Sequence, residues 1–463
     1  MRIQVTSPVD QSIVYEVDCL SQEQVDDAVQ QSQTAFLEWK KVPVAKRVAI
    51  MEKFCTLFEQ KKDLVASSIT KQMGRPIRYG HGEVKGVLER AKYMISVAEE
   101  SLKDTIIEHV PGVVKRFQRK EPLGPVFIIA AWNYPYLTTV NNVIPALLAG
   151  NTVLLKQSPQ TPQCADIFVD TLREAGVPHH AIQAIHVQDK EANYLVQHPL
   201  VQYVNFTGSV AVGKQIRRAI GDCEHLIGCG MELGGKDPAY VLPDTNLDFA
   251  VENIVDGAFF NSGQCCCSIE RCYVHESIYD AFVQKAVALT KNYVLGDPSK
   301  QETTLGPMAN LRFANTVREH IKDAIEKGAK PLIETFPADK PGTAYVGPQI
   351  LVNVNHDMLV MTEETFGPVL PIMKVFSDEE AIRLMNDSKY GLTASIWTTN
   401  EEKAIEIGDQ IETGTWFMNR CDYIDPALAW VGAKDSGLGF SMSKQGFGQF
   451  TRPKSYHLKL SQQ

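Results

Sequence analysis

The stretch PVFIIAAWNYPYLTTVNNVIPALLAGNTVLLKQS, residues 125–158, decides the fold. PVFIIAAW and TVLLKQS are short, apolar and rich in strand-forming residues, and the segment between them, YLTTVNNVIPALLAG, reads as a helix. Short buried strands alternating with helices indicate a parallel, doubly wound α/β sheet. QCADIFVDTLREAG, AIQAIHV and YVNFTG continue the alternation. Such sheets bind ligands at the carboxyl ends of their strands.

Working outward, the first hundred residues read as helices, the first opening on Ser21 as a cap with Glu23 in its first turn. GVVKRFQRKEPLG is polar, extended and bounded by Gly and Pro, which predicts a strand packing on something other than the main core. A second α/β pattern starts near 236, with AYVLP, RCYVHES, QILVNV and LPIMKVF as strands and VENIVDGAFFNSG, YDAFVQKAVALTKNY and ANTVREHIKDAIEKG as helices. The tail, PKSYHLKL, alternates like an edge strand. No repeat or low-complexity linker separates the halves, so a cleft between two closely packed units is expected.

The 463 residues are 44% hydrophobic, enough for two or three domains with large cores. A net charge of −9 argues against nucleic-acid binding, which needs a basic face. No apolar run approaches the roughly 20 residues of a membrane helix, and MRIQVTSPVDQS lacks the apolar core of a signal peptide. A soluble cytoplasmic protein is expected. The ten cysteines form neither a disulfide framework nor a zinc-site spacing, so no metal is expected. Cys19, Cys55, Cys164, Cys223, Cys229, Cys272 and Cys421 read as small buried hydrophobes.

Several residues could carry chemistry. FFNSGQCCCSIER, residues 259–271, sets Cys265, Cys266 and Cys267 in a row. On an extended chain adjacent side chains diverge, so one of the three is expected to face a site. A nucleophilic thiol needs a base or a favourable field, and no histidine stands in a partnering context. Glu232 in MELGGKDP, between apolar residues and a Gly pair, suits general-base work. The Asn133 amide in AAWNYP could support an oxyanion, or the residue could simply serve the turn before Pro135. In YVNFTGSVAVGKQIRR, Gly208, Ser209 and Gly213 sit where a helix begins, and free N–H groups there could hold a pyrophosphate. Lys156, just after a strand, can reach ribose hydroxyls or phosphate.

Taken together, WNYP, LLKQSPQTP, FTGS, ELGGK, FFNSGQCCC and EETFGPV arrive in the order of the aldehyde dehydrogenase superfamily, which the chain resembles over nearly its whole length. The resemblance implies a Rossmann-type cofactor-binding domain (1–103 and 123–235), an α/β catalytic domain (236–435) and a small β oligomerisation element (104–122 and 445–463), assembled as a homodimer or homotetramer. It assigns the nucleophile to Cys266, with Cys265 and Cys267 flanking the pocket. Cys266 would attack the aldehyde to give a thiohemiacetal steadied by Asn133. Hydride transfer to a nicotinamide would give a thioester, and water activated by Glu232 would release a carboxylate. Trp132, Lys156, Ser209, Glu364 and Phe366 match the family's cofactor contacts.

Three departures qualify the match. Pro159 stands where NAD-preferring relatives carry a ribose-binding glutamate, so NAD or NADP is expected, leaning to NAD because QSPQTP brings no new arginine. Ser441, in SGLGFS, replaces a glutamate assigned to proton relay. Asn141 stands where succinate-semialdehyde enzymes carry an arginine and betaine-aldehyde enzymes a tryptophan, which argues against both substrates. Tyr134, Leu137, Thr138, Asn141 and Asp422 predict a small or medium polar aldehyde. The alternatives are a CoA-acylating enzyme, against which Glu232 argues, a non-catalytic protein on the same fold, and a cofactor-independent cysteine hydrolase.

Overall fold

Two parallel sheets carry the chain, and each owes its direction to strands joined through helices. The computed structural model describes residues 1–107 and 110–461. Residues 108, 109, 462 and 463, which fall in the segments expected to form the oligomerisation element, lie outside the described residues.

The first sheet runs in the order Gly437–Leu438, Gly228–Glu232, Tyr203–Thr207, Pro125–Ala130, Thr152–Gln157, Ile182–Ala184. All its pairings are parallel except that of Gly437–Leu438, which joins the edge antiparallel, Gly437 opposite Glu232. Pro125–Ala130 and Thr152–Gln157 are buried throughout, which is why both read as continuous apolar runs. Helices Val44–Gln60, Gly80–Leu102, Pro135–Ala149 and Pro162–Ala175 cover this sheet through one core. Phe54 and Phe168 meet there at 4.9 Å between ring centres, and Phe58 and Tyr136 at 5.5 Å. Gly86 lets the helix Gly80–Leu102 come close to Pro135–Ala149, since a Cβ there would stand 2.9 Å from Leu137.

The second sheet has seven strands, ordered Lys330–Pro331, Gln349–Val352, Val369–Val375, Ile269–His275, Asp237–Val241, Thr393–Trp397, Thr415–Met418, all parallel but the first. Thr451–Lys459 pairs antiparallel with Val114–Pro122 over nine residues, from Thr451 opposite Pro122 to Lys459 opposite Val114. Most of both strands is exposed or half-buried.

Two sequence readings are corrected. The first hundred residues are not all helical, because Arg2–Thr6 and Ile13–Asp18 form an antiparallel hairpin. RIQVT and IVYEVD carry the two-residue alternation and β-branched content of strands, outweighed in the reading by the helices that follow. Of the seven cysteines read as buried, Cys55, Cys164, Cys272 and Cys421 are so, whereas Cys19, Cys223 and Cys229 are half-buried. All ten are free thiols.

Candidate active site

The carboxyl ends of both sheets open on one cavity of about 1020 Å³. The turn after the helix Leu247–Phe259 carries the chain into the three cysteines that line it. There the backbone takes three left-handed residues in succession: Asn261 (φ 54°), Ser262 (φ 58°) and Gly263 (φ 69°). Left-handed backbone strains residues other than glycine. Side-chain bonds hold this one. Asn261 Oδ1 accepts from Arg75 Nε at 3.0 Å, and its Nδ2 donates to the carbonyls of Asn133 (3.2 Å) and Gln264 (3.1 Å). Ser262 Oγ donates to the Gly306 carbonyl at 2.9 Å. Gly263 must be glycine on a second count, since a Cβ would stand 2.2 Å from the Gly367 oxygen.

The three cysteines follow at once, and here the extended-chain expectation fails. The Ser268 amide donates to the Cys265 carbonyl at 3.2 Å, closing a turn over the triplet. All three Sγ atoms therefore lie within 4.8 Å of one another, Cys265 and Cys267 at 3.5 Å. Hydrogen bonds from Cys266 and Cys267 hold the Cys265 thiol well below its usual range, and the same bonds oppose ionisation of Cys267. Ionisation of Cys266 is opposed by Cys265 first. The triplet thus ionises as a unit, one proton leaving easily and the next with difficulty.

Asn133 approaches from the end of Pro125–Ala130. Its Nδ2 donates to the Gln264 carbonyl at 3.2 Å, tying it to the residue before the triplet and leaving its second N–H free. Its own carbonyl accepts from Arg75. Glu232 ends its strand at the same cavity. Its Oε1 accepts from Ser441 Oγ at 2.6 Å, so the residue that replaces the expected glutamate touches the carboxyl directly. Burial raises the Glu232 carboxyl above the usual range, opposed by the Ser441 hydrogen bond and the field of Arg90.

The cofactor-side predictions converge on the other half of the same cavity. Trp132, Lys156, Gly208, Ser209, Glu364 and Phe366 all line it. Ser209 caps the helix Val210–Gly221, accepting from the Val212 amide, so free N–H groups face the cavity there. Gly208 is required sterically, as a Cβ would stand 2.5 Å from the Phe206 ring. Lys156 is buried, and its ammonium makes only a 3.5 Å contact with the adjacent Gln157 carbonyl. Glu364 accepts from the Gly235 amide at 3.0 Å, and burial together with Glu270 pushes its carboxyl up to about 8. Trp132 stacks on Phe313 at 4.8 Å and meets Phe366 edge-on at 5.5 Å. Gly213 is the exception. It does not line the cavity, and a Cβ on it would stand 2.7 Å from Leu233, so its place is close helix-to-strand packing.

Tyr134, Leu137, Thr138, Asn141, Cys265, Cys267 and Asp422 also line the cavity. Burial and the neighbouring Cys265 push the Asp422 carboxyl up to about 7. The sequence reading missed the supports. Arg75 pairs with buried Glu83 and lies 4.2 Å over the Tyr134 ring, while Glu83 Oε1 accepts from the amides of Tyr136 (2.8 Å) and Leu137 (3.2 Å). Buried Lys236 donates to Glu270 at 2.6 Å, and Glu270 accepts from the amides of Thr365 (2.7 Å) and Phe366 (2.8 Å). That pair fixes the loop bearing Glu364 and Phe366, the latter itself left-handed at φ 51°. A charged residue inside an apolar helical stripe was the available signal for Glu83 and Arg90. Asp189, Phe313 and Arg312 offered none.

Residues 1–456 match the model of the aldehyde dehydrogenase family. The chain belongs to the aldehyde dehydrogenase family. It is 33% identical over 459 residues to an aldehyde dehydrogenase of Davidiella tassiana, covering 98% of this chain and 92% of the relative. It is 33% identical over 435 residues to succinate-semialdehyde dehydrogenase [NADP(+)] of Deinococcus radiodurans, covering 94% and 90%. The crystal structure of NAD-dependent aldehyde dehydrogenase from Sinorhizobium meliloti superposes at TM-score 0.95 and 30% identity, covering 100% of this chain and 92% of that one. This aldehyde dehydrogenase is an NAD(P)-dependent enzyme that oxidises an aldehyde. No helix among the described residues is long and apolar enough to cross a membrane.

Proposed function

We propose that this aldehyde dehydrogenase works through Cys266 as nucleophile, Asn133 as oxyanion donor and Glu232 as general base. The observation that carries the reading is the meeting of the thiol triplet, the free Asn133 N–H and the Glu232 carboxyl at one cavity. The Cys266 thiol adds to the carbonyl carbon as its proton passes to the Cys265 thiolate beside it, and the Asn133 amide meets the oxygen as it gains charge. A nicotinamide cofactor, when bound, would supply the acceptor for the hydride that the adduct carbon loses in becoming a thioester. Glu232 then deprotonates the water that cleaves the thioester, and Ser441 keeps its carboxylate oriented.

The residues present fit the cofactor. Lys156 offers a buried, unpaired ammonium for ribose hydroxyls, Ser209 and the helix it caps offer N–H groups for the pyrophosphate, and Glu364 offers a carboxyl for the second ribose. Trp132 and Phe366 would flank the ring. NAD is the preferred form. Asp189 lines the cavity within the field of Lys156, a carboxylate on the side where Pro159 supplies none, and it would repel a 2′-phosphate. The substrate is a small or medium polar aldehyde, a reading the mixed lining by Tyr134, Thr138 and Asn141 supports.

The expected division into a cofactor domain (1–103, 123–235), a catalytic domain (236–435) and an oligomerisation element (104–122, 445–463) is supported by the two sheets and the exposed strand pair. Exposed Ile106, Val110, Val113, Leu458 and Leu460 around that pair support a homodimer or homotetramer, and ten free thiols support a cytoplasmic location. The deciding experiment is NADH or NADPH formation by the purified protein over a panel of aldehydes, beside Cys266→Ala. Reduced cofactor from the wild type alone is expected. Equal turnover by the variant would remove Cys266 from the mechanism.

A further inference from the structure

Two buried arginines of the first sheet's helical layer reach the cavity, and they differ in how their charge is met. Arg75 is saturated: it pairs with Glu83, donates to Asn261 and the Asn133 carbonyl, and stacks on Tyr134. Arg90, on the helix Gly80–Leu102, is 9% exposed and lines the cavity beside Glu232, Cys266 and Cys267. Both its hydrogen bonds leave from Nη1, to the Leu137 carbonyl at 3.3 Å and Asn141 Oδ1 at 2.9 Å. Among the described residues, Nε and Nη2 have no acceptor and the guanidinium has no ion pair.

A buried cation without an ion-pair contact is costly, and a bound anion would offset that cost. Among the described residues, no carboxylate makes an ion-pair contact with Arg90. Glu83 is taken by Arg75 and two amides. Glu232 stands in the field of Arg90 but makes no ion-pair contact with it, and its Oε1 accepts from Ser441. Asp422 stands in the field of Cys265 and Arg420 rather than of Arg90. Asn141 therefore does not leave the wall without a cation. It fixes one corner of a guanidinium whose other edge is open.

We propose that the substrate is an aldehyde bearing a carboxylate at its far end, held by Nε and Nη2 of Arg90 while the carbonyl meets Cys266. This rests on the reading of Cys266 as nucleophile. A guanidinium edge binds a carboxylate through two parallel N–H···O bonds, a match that an ammonium or an amide does not reproduce. The aldehyde carbon loses two electrons to the nicotinamide, water supplies the new oxygen, and the product is a dicarboxylate.

The test compares kcat/KM for 4-oxobutanoate and 5-oxopentanoate with that for butanal and pentanal, in the wild type, Arg90→Leu and Arg90→Lys. The wild type should favour the oxo acids. Arg90→Leu should lower the ratio of oxo-acid to neutral-aldehyde kcat/KM by about 30-fold or more, chiefly through KM. Arg90→Lys should recover part of it and gives the readout if the leucine variant does not fold. A wild type without preference for the oxo acids would overturn the proposal. So would a loss of kcat shared equally by both aldehyde classes, which would place Arg90 in the service of Glu232. Glutarate, a dicarboxylate product, should raise the thermal midpoint of the wild type and not of Arg90→Leu. That readout survives even if no aldehyde is turned over, an outcome that would sink the Cys266 reading instead.

Discussion

Replacing Glu364 with glutamine tests the electrostatics of the cofactor loop directly. The Glu364 carboxyl moves from 4.5 to about 8 on folding, through burial first and the neighbouring Glu270 second. A carboxyl whose folded value is raised binds its proton more tightly in the native state. It therefore contributes nothing unfavourable at low pH and destabilises progressively as pH rises above its unfolded value. At about 1.4 kcal/mol per unit, the cost is about 2 kcal/mol at pH 6 and about 4 kcal/mol at pH 8. Glutamine keeps an oxygen for the Gly235 amide and carries no charge. Glu364→Gln should therefore be more stable than the wild type by a margin that grows by about 2 kcal/mol between pH 6 and pH 8. Urea unfolding of the apoprotein at both pH values measures this, because any loss of packing on substitution is independent of pH. A margin that does not change between them would refute the assignment. Ribose hydroxyls donating to the carboxylate favour its ionised form, so NAD binding near pH 7 should also release a proton from the wild type and not from the variant. Calorimetry in two buffers of different ionisation enthalpy reads that release.

Three further outcomes are expected. Ser441→Ala removes the 2.6 Å hydrogen bond that favours ionised Glu232, so the acid limb of kcat under conditions where deacylation limits turnover should move to higher pH; an unmoved limb would show that Ser441 does not act through Glu232. Lys236→Met leaves Glu270 as a buried charge without its partner and should cost about 3–5 kcal/mol of stability in denaturant titration, with loosened cofactor binding if any folded protein remains. Cys265→Ser removes the neighbouring thiol that opposes ionisation of Cys266, so iodoacetamide should alkylate Cys266 faster at pH 7; an unchanged rate would mean that Cys266 ionises alone.

What the sequence made legible follows from the range of the forces involved. Strand–helix alternation depends on local burial, so PVFIIAAW and TVLLKQS declare a parallel sheet from composition alone. The ordered motifs placed Cys266, Glu232, Asn133 and the cofactor-side residues, and all but Gly213 reach the one cavity. Gly213 misled because a glycine opening a helix serves anion contact and tight packing equally well, and only Leu233 on a neighbouring strand distinguishes them. The triplet misled because its reading assumed extended backbone. Its turn is dictated by Asn261, Ser262 and Gly263, whose left-handed angles depend on Arg75 from 186 positions away. Arg90 went unread for the same reason: its open edge becomes apparent only once Glu83 is seen to be taken by Arg75. Pairings between distant charges are where one chain, read alone, runs out.

The strand Gly437–Leu438 closes the edge of the first sheet against Met231 and Glu232, and Ser441 follows three residues later. The base is thus held by residues made about two hundred positions after it. During synthesis the thiol triplet leaves the ribosome long before those residues exist. The turn that gathers the thiols likewise leans on later residues, through Ser262 to the Gly306 carbonyl and Gly263 against Gly367, so thiol cluster and carboxyl take their places together only when both late segments have docked.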